Sequence, residues 1–142
     1  MNIEIRYQSR NGNTKAVAET IAKAAGISAE SIEKPVDKPV DLLIVGGGIY
    51  GWGIDPVLKK FLENLDANTV KSVAAFTTAG VMNKTNSILS IAKSKGLKAE
   101  KETLSVKVGL NNHAWLGGKG SIKLSEKQIG KINGFVKRLL QN

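Results

Sequence analysis

The sequence predicts an alternating α/β domain: a parallel sheet with helices on both faces. Three observations carry that expectation. At the N-terminus a period-two strand passes through a tight glycine turn directly into a helix. Asp41-Leu42-Leu43-Ile44-Val45-Gly46 is a continuous apolar run ended by glycines, which suits a strand buried on both faces of a parallel sheet. From there to the C-terminus, segments of strand and helix periodicity alternate, and such chains close their sheets through right-handed crossovers.

Ile3, Ile5 and Tyr7 alternate with Glu4 and Arg6, giving the first strand. A helix follows from Asn13 to about Ala25, with Val17, Ile21, Ala24 and Ala25 inward and Gly26 as its stop. Between Ile27 and Val40 the signal weakens to a short strand near Ser31 to Lys34, broken by Pro35 and Pro39. After the 41–46 strand, Asp55 and Pro56 form an N-cap and first-turn pair. Val57, Leu58, Phe61, Leu62 and Leu65 make the apolar face of the helix they start. Ser72 to Thr78 is the next buried strand, Asn83 to Lys95 the next helix, stopped by Gly96, and residues 98–108 a half-buried strand. A glycine-rich loop over Gly109 to Lys123 leads to a closing helix from Ser125 to about Leu140. Its inward positions are Ile129, Ile132, Phe135, Val136 and Leu139, and Ser125 with Gln128 makes a capping box. No repeat or linker divides the chain, so residues 1–142 are expected to form a single domain.

Composition excludes several kinds of chemistry. The chain has no cysteine, which removes disulfides, thiolate nucleophiles and iron–sulfur ligation, so any redox work needs a bound cofactor. One histidine, His113, cannot build a multi-histidine metal site, and it reads as a surface residue, so no metal site and no catalytic residue is assigned. No apolar stretch approaches the roughly 18–20 residues that span a bilayer, and the start reads as a strand and not as a signal peptide. A cytoplasmic location is expected. The net charge of +9 is uneven: residues 71–142 carry 13 Lys/Arg against 3 Asp/Glu, and residues 1–70 carry 8 against 9. Scattered lysines of this kind are a solvated surface or a face for an acidic partner; no base-reading motif accompanies them, so nucleic acid is not expected.

Open parallel sheets bind ligands at the carboxyl ends of their strands, where the winding reverses. Three loops meet that condition: Gln8–Asn13, Gly46–Ile54 and Thr77–Asn83. In the first, Gly12 permits close backbone approach, Ser9 and Thr14 offer hydroxyls, Arg10 and Lys15 add charge, and the helix that follows points free N–H groups at the loop. On residues alone, this string reads equally as a phosphate cradle and as an ordinary strand-to-helix turn. Neither Gly-x-x-x-x-Gly-Lys-Ser/Thr nor Gly-x-Gly-x-x-Gly is present, which argues against ATP and NAD.

The string Ser9-Arg10-Asn11-Gly12-Asn13-Thr14 resembles the flavodoxin phosphate motif Ser/Thr-x-Thr-Gly-Asn-Thr, placed as in that family directly after the first strand. Asn11 is the departure, standing where the family has threonine. The run Asp41 to Gly51, DLLIVGGGIYG, is similar to the family's third strand and the loop covering the isoalloxazine. The resemblance implies a three-layer α/β/α sandwich around a five-stranded parallel sheet of order 2-1-3-4-5, with FMN across the ends of strands 1, 3 and 4. It also implies that Ser9, Asn11, Gly12, Asn13 and Thr14 hold the phosphate, and Arg10, which adds charge to the loop, is counted with them in the cofactor site. Gly48, Ile49 and Tyr50 would then flank the ring with Tyr50 stacked on it, and the Gly51 carbonyl would accept from N5–H of the reduced flavin. Trp52-Gly53 repeats the aromatic-glycine pair two residues on, so a second register is open. Thr77, Thr78, Ala79, Gly80 and Met82 occupy the family's second ring-contacting loop, which here has no aromatic residue. Met82, or Trp115 from the later loop, is left to meet the outer face.

By this resemblance the protein is an FMN-dependent carrier of electrons between redox partner proteins, expected as a monomer without membrane insertion. Two alternatives stay open: an FMN-dependent reductase or oxidase for a quinone, porphyrin precursor or other small acceptor, and a flavin-free module for polyanions. Two departures stand out. The chain between the second and third strands is too short for the usual helix, and the charge is positive where flavodoxins are commonly acidic, which points toward partners with acidic surfaces.

Overall fold

A computed structural model of the chain describes residues 1–10, 12–50, 53–79, 83–108 and 123–141. Strand β1 covers Ile3–Gln8, α1 Asn13–Ala25, β2 Ala29–Ser31 and β3 Val40–Tyr50; β4 is the pair Gly53–Ile54, followed by α2 at Pro56–Glu63. Then come β5 at Val70–Ala79, α3 at Thr85–Ser94, β6 at Lys98–Lys107 and α4 at Glu126–Leu140. The five parallel strands lie in the order β2-β1-β3-β5-β6, which is the expected 2-1-3-4-5 once the short β4 is left out of the count. β4 is a return not foreseen from the sequence, pairing antiparallel to the end of β3 through Ile49 with Ile54 and Tyr50 with Gly53.

The alternation inside β3 divides the core. Leu42 and Ile44 project to the face covered by α1 and α4, where they meet Ile5, Val17, Ile21, Phe76, Ile132 and Phe135. Leu43 and Val45 project to the other face, among Leu58, Leu62, Val73, Ile88 and Ala92 of α2, β5 and α3. This is the three-layer arrangement, and it explains why the 41–46 run is apolar without a break: both faces of that strand are covered.

Local signals fixed most helix ends. Asp55 caps α2 by accepting the Val57 N–H at 2.8 Å, with Pro56 in the first turn. Ser125 and Gln128 form the reciprocal capping box of α4 at 3.1 and 2.8 Å. Gly26 closes α1 in the left-handed region at φ 74°.

Several boundaries and faces differ from the sequence expectation, among them Ala24 of α1, expected inward and found exposed. β2 lies at Ala29–Ser31, ahead of the 31–34 segment, because Ser31 to Lys34 turns back on itself through the Lys34 N–H to the Ser31 carbonyl. β3 does not stop at its glycines. It continues to Tyr50 because Gly46, Gly47 and Gly48 are paired to β5 and the first two of them also to β1. In α2, Val57 is exposed while Leu58 and Leu62 are buried, since one helical step turns Val57 about 100° off the buried stripe. Ile129 is likewise exposed, on the flank of α4 that borders an open groove beside Thr20, Lys23 and Ala24 of α1.

The short connection from β2 to β3 has an unexpected anchor. Arg6 shares the alternation column of Glu4, yet it is only 2% exposed. Its guanidinium donates to the Lys34 carbonyl at 3.0 Å, to Pro35 at 3.3 Å and to Ile5 at 3.1 Å, and pairs with Glu4 at 3.0 Å. The segment from Ile32 onward thus lies as a strap over β1 where a helix would otherwise be, and a cation holds its carbonyls.

Candidate functional site

The parallel ladder brings the carboxyl ends of β1, β3 and β5 to one edge, with Gln8, Gly47 and Thr77 in register. The first loop rises from β1 and enters α1 at Gly12, which sits at φ 89°, ψ −9°. Non-glycine residues avoid that region because Cβ crowds the carbonyl. Gly12→Ala should therefore cost about 1–2 kcal/mol of unfolding free energy; urea denaturation measures it, and an unchanged midpoint would mean that the left-handed turn is not needed.

Gly12 brings no side-chain cap to α1, and the first turn has no acidic residue. The leading N–H groups of the helix are therefore open to an anion, with Lys15 beside them. Ser9 curls inward so that its Oγ accepts the Gly12 N–H at 3.0 Å, which sets the loop. Thr14 Oγ1 is buried and lies 2.7 Å from Thr78 Oγ1, tying α1 to the end of β5. Each hydroxyl can donate only once, so the proton not used between the two stays available to a ligand. Asn13 Oδ1 and Thr77 Oγ1 are buried with no hydrogen-bond partner. Such groups are rare in folded proteins, and here two of them lie at the ends of neighbouring elements, open to a polar partner.

The ring end of the expected site is built around Tyr50. Its side chain folds back over Gly48, with Oη 2.9 Å from where a Cβ on Gly48 would lie. The Arg10 N–H donates to that hydroxyl at 3.3 Å, and the Arg10 guanidinium lies over the Tyr50 ring at 3.9 Å from its centre. Arg10 Nε also pairs with Asp55 Oδ2 at 2.8 Å, a carboxylate only 2% exposed. Burial pushes the Asp55 carboxyl upward, but the bonds from Arg10 and the Val57 N–H, the Arg10 charge and a longer contact from Gln8 outweigh it, and its pKa is lowered. Asp55 had signalled only a helix cap in the sequence. The signal for its second role was its place at the mouth of the second loop, opposite the one arginine of the first.

The structure therefore gathers Ser9, Arg10, Gly12, Asn13, Thr14, Gly48, Tyr50, Thr77 and Thr78 at one edge. Ile49 is used in the β3–β4 pairing, and the Ala79 carbonyl accepts the Val108 N–H at the end of the β5–β6 ladder. Asn11, Gly51, Trp52, Gly80 and Met82 lie outside the described residues, as do His113 and Trp115, so the choice between the Tyr50-Gly51 and Trp52-Gly53 registers lies there too. Among the described residues no group of three or more His, Cys, Asp and Glu could hold a metal ion, and no helix is long and apolar enough to cross a membrane.

The architecture is that of the doubly wound α/β domains, with the open N-terminus of α1 at the topological switch of the sheet. Within that class the chain belongs to the flavodoxin family: a flavodoxin-domain family model matches residues 4–113. No curated protein matches. Among solved structures, a flavodoxin from the domain Archaea aligns with a TM-score of 0.80 at 19% identity, covering 99% of this chain and 97% of that one. Two-electron reduced Megasphaera elsdenii flavodoxin aligns at 0.60 and 18% identity, covering 96% and 98%. Rubredoxin oxygen:oxidoreductase from Desulfovibrio gigas aligns at 0.70 and 16% identity, with 99% of this chain covering 36% of that one. At these identities the likeness is one of fold.

Proposed function

We propose that the protein binds FMN across the carboxyl ends of β1, β3 and β5 and carries electrons between redox partner proteins. The observation that carries this reading is the uncapped α1 N-terminus behind Gly12, flanked by the partnerless buried atoms Asn13 Oδ1 and Thr77 Oγ1. The donor set suits a phosphate: open helix N–H groups, two hydroxyls and an amide whose oxygen and nitrogen exchange on a flip. Bound flavin would supply the redox chemistry, while the chain anchors its phosphate, orients its ring and limits water around it. In this reading Tyr50 meets the ring, Thr14 and Thr78 brace the wall between ring and phosphate, and the first loop holds the anion.

The net charge of +9 favours encounter with acidic partner surfaces and disfavours basic ones. Salt should accordingly slow productive encounter, since exposed charges are screened beyond a Debye length of about 10 Å at 0.1 M.

Titration with FMN tests the reading. Flavin emission should be quenched with one equivalent bound, and riboflavin, which lacks the phosphate, should bind at least about 100-fold more weakly, the worth of two charge-assisted hydrogen bonds. Absence of quenching, or equal affinity for the two flavins, would refute the assignment. With FMN bound, catalytic turnover of a small quinone would favour the reductase alternative over a carrier.

A further inference from the structure

We propose that Asp55 and Arg10 are positioning residues that orient Tyr50, the aromatic side chain at the ring end of the site; the inference rests on the flavin reading above. The three residues form a chain of fixation from the cap of α2 to the aromatic ring at the end of β3. Asp55 is immobilised twice over: it caps α2 through the Val57 N–H at 2.8 Å, and its carboxylate is buried. It fixes Arg10 through the 2.8 Å bond to Nε, although the Arg10 side chain is itself half exposed and would otherwise sample many rotamers. Arg10 then grips Tyr50 at two points, the guanidinium over the ring face at 3.9 Å and the backbone N–H on the hydroxyl at 3.3 Å. Gly48 completes the arrangement, because a side chain there would collide with the phenol.

The arrangement also settles where the one cation of the first loop is spent. A free guanidinium beside a phosphate cradle would pair with the anion. Here the buried Asp55 carboxylate neutralises it and holds it against Tyr50, so the anion end keeps the N–H groups, the hydroxyls and Lys15. The same pair thus assigns Arg10 to the ring end of the site.

Ultraviolet titration of the Tyr50 phenol tests the clamp in the full chain without added flavin, with Tyr50→Phe identifying its contribution against Tyr7. Burial raises the Tyr50 pKa, the Arg10 N–H and charge lower it, and the Asp55 charge raises it. Asp55→Asn, which keeps a capping oxygen for Val57, should move the phenol down, and Arg10→Gln, a change on an exposed side chain, should move it up. Simple loosening that lets water reach Tyr50 would move both variants down, toward the ordinary phenol value. In a second measurement, FMN bound to either variant should emit several-fold more brightly than FMN bound to the native chain, because the quenching ring is no longer held. Opposite titration shifts with brighter bound flavin support the proposal. Unchanged titrations, or shifts of the same sign, overturn it. Opposite shifts in a chain that takes up no FMN support the clamp and refute the flavin reading instead.

Discussion

Gly46→Ala is expected to destabilise the fold by about 3–5 kcal/mol, and Gly46→Val to prevent folding. A Cβ on Gly46 would lie 2.2 Å from the Phe76 carbonyl oxygen and 2.5 Å from its ring. The oxygen cannot retreat, because β5 is locked between β3 and β6 by parallel ladders on both sides. The Phe76 ring cannot retreat either, since it is fully buried among Leu42, Ile44 and Phe135. Two other glycines calibrate the measurement. Gly130, inside α4, faces open space, so Gly130→Ala should stabilise by about 0.5–1 kcal/mol through helix propensity. Gly53 also has nothing near its missing Cβ, and Gly53→Ala should stay within about 0.5 kcal/mol of the native chain. Urea unfolding of the three variants checks the order, and a Gly46→Ala midpoint near that of Gly53→Ala would show that β3 and β5 can separate where the structure holds them together.

The second large effect is expected at Arg6. Arg6→Ala should cost on the order of 3 kcal/mol, because it strips donors from the Lys34 and Pro35 carbonyls and leaves a cavity under the strap where the buried Arg6 side chain lay. Its ion pair with Glu4 is a minor part of that figure. Glu4 is 43% exposed, so water screens the pair and Glu4→Gln should cost less than about 1 kcal/mol. Arg6→Lys should fall between the two, since an ammonium cannot reach both strap carbonyls with the fixed fork of a guanidinium. Hydrogen exchange sharpens the test: Arg6→Ala should speed exchange at Ile32, Glu33 and Lys34 before it affects β3. Equal losses for Glu4→Gln and Arg6→Ala would mean that the ion pair, and not the strap, is what Arg6 supports.

Both effects sit where sequence reading met its limits. The run GGGIY reads as a strand ending in a loop, because three glycines in a row lower strand propensity and suggest a break. In the fold they are strand. Neighbouring ladders supply their hydrogen bonds, and Phe76, Leu58 and Tyr50 fill the space their missing side chains leave. The period-two column placed Arg6 beside Glu4 as an outward residue, and nothing local distinguishes the two. Arg6 is buried only because the strap returns over β1 some 28 residues later in the chain. The candidate site shows the same division. The turn from Ser9 to Thr14 and the aromatic at Tyr50 were legible as strings with known spacing, whereas Asp55 carried a complete local explanation as an N-cap and so hid its hold on Arg10.

By itself, then, the sequence determined the alternation of strands and helices, the two-faced burial of β3, the caps of α2 and α4 and the glycine stop of α1. Each of these follows from residues within a few positions of one another, through periodicity, capping chemistry or the freedom of a single glycine. Only the tertiary structure decided that the glycines of β3 stay in the sheet, that Arg6 fastens a strap in place of a helix, and that Asp55 fixes Arg10 on Tyr50. These depend on which atoms arrive from 28, 30 and 45 residues away. Burial changes what a charged or missing side chain does, and burial is a property of the folded neighbours, which no local window contains.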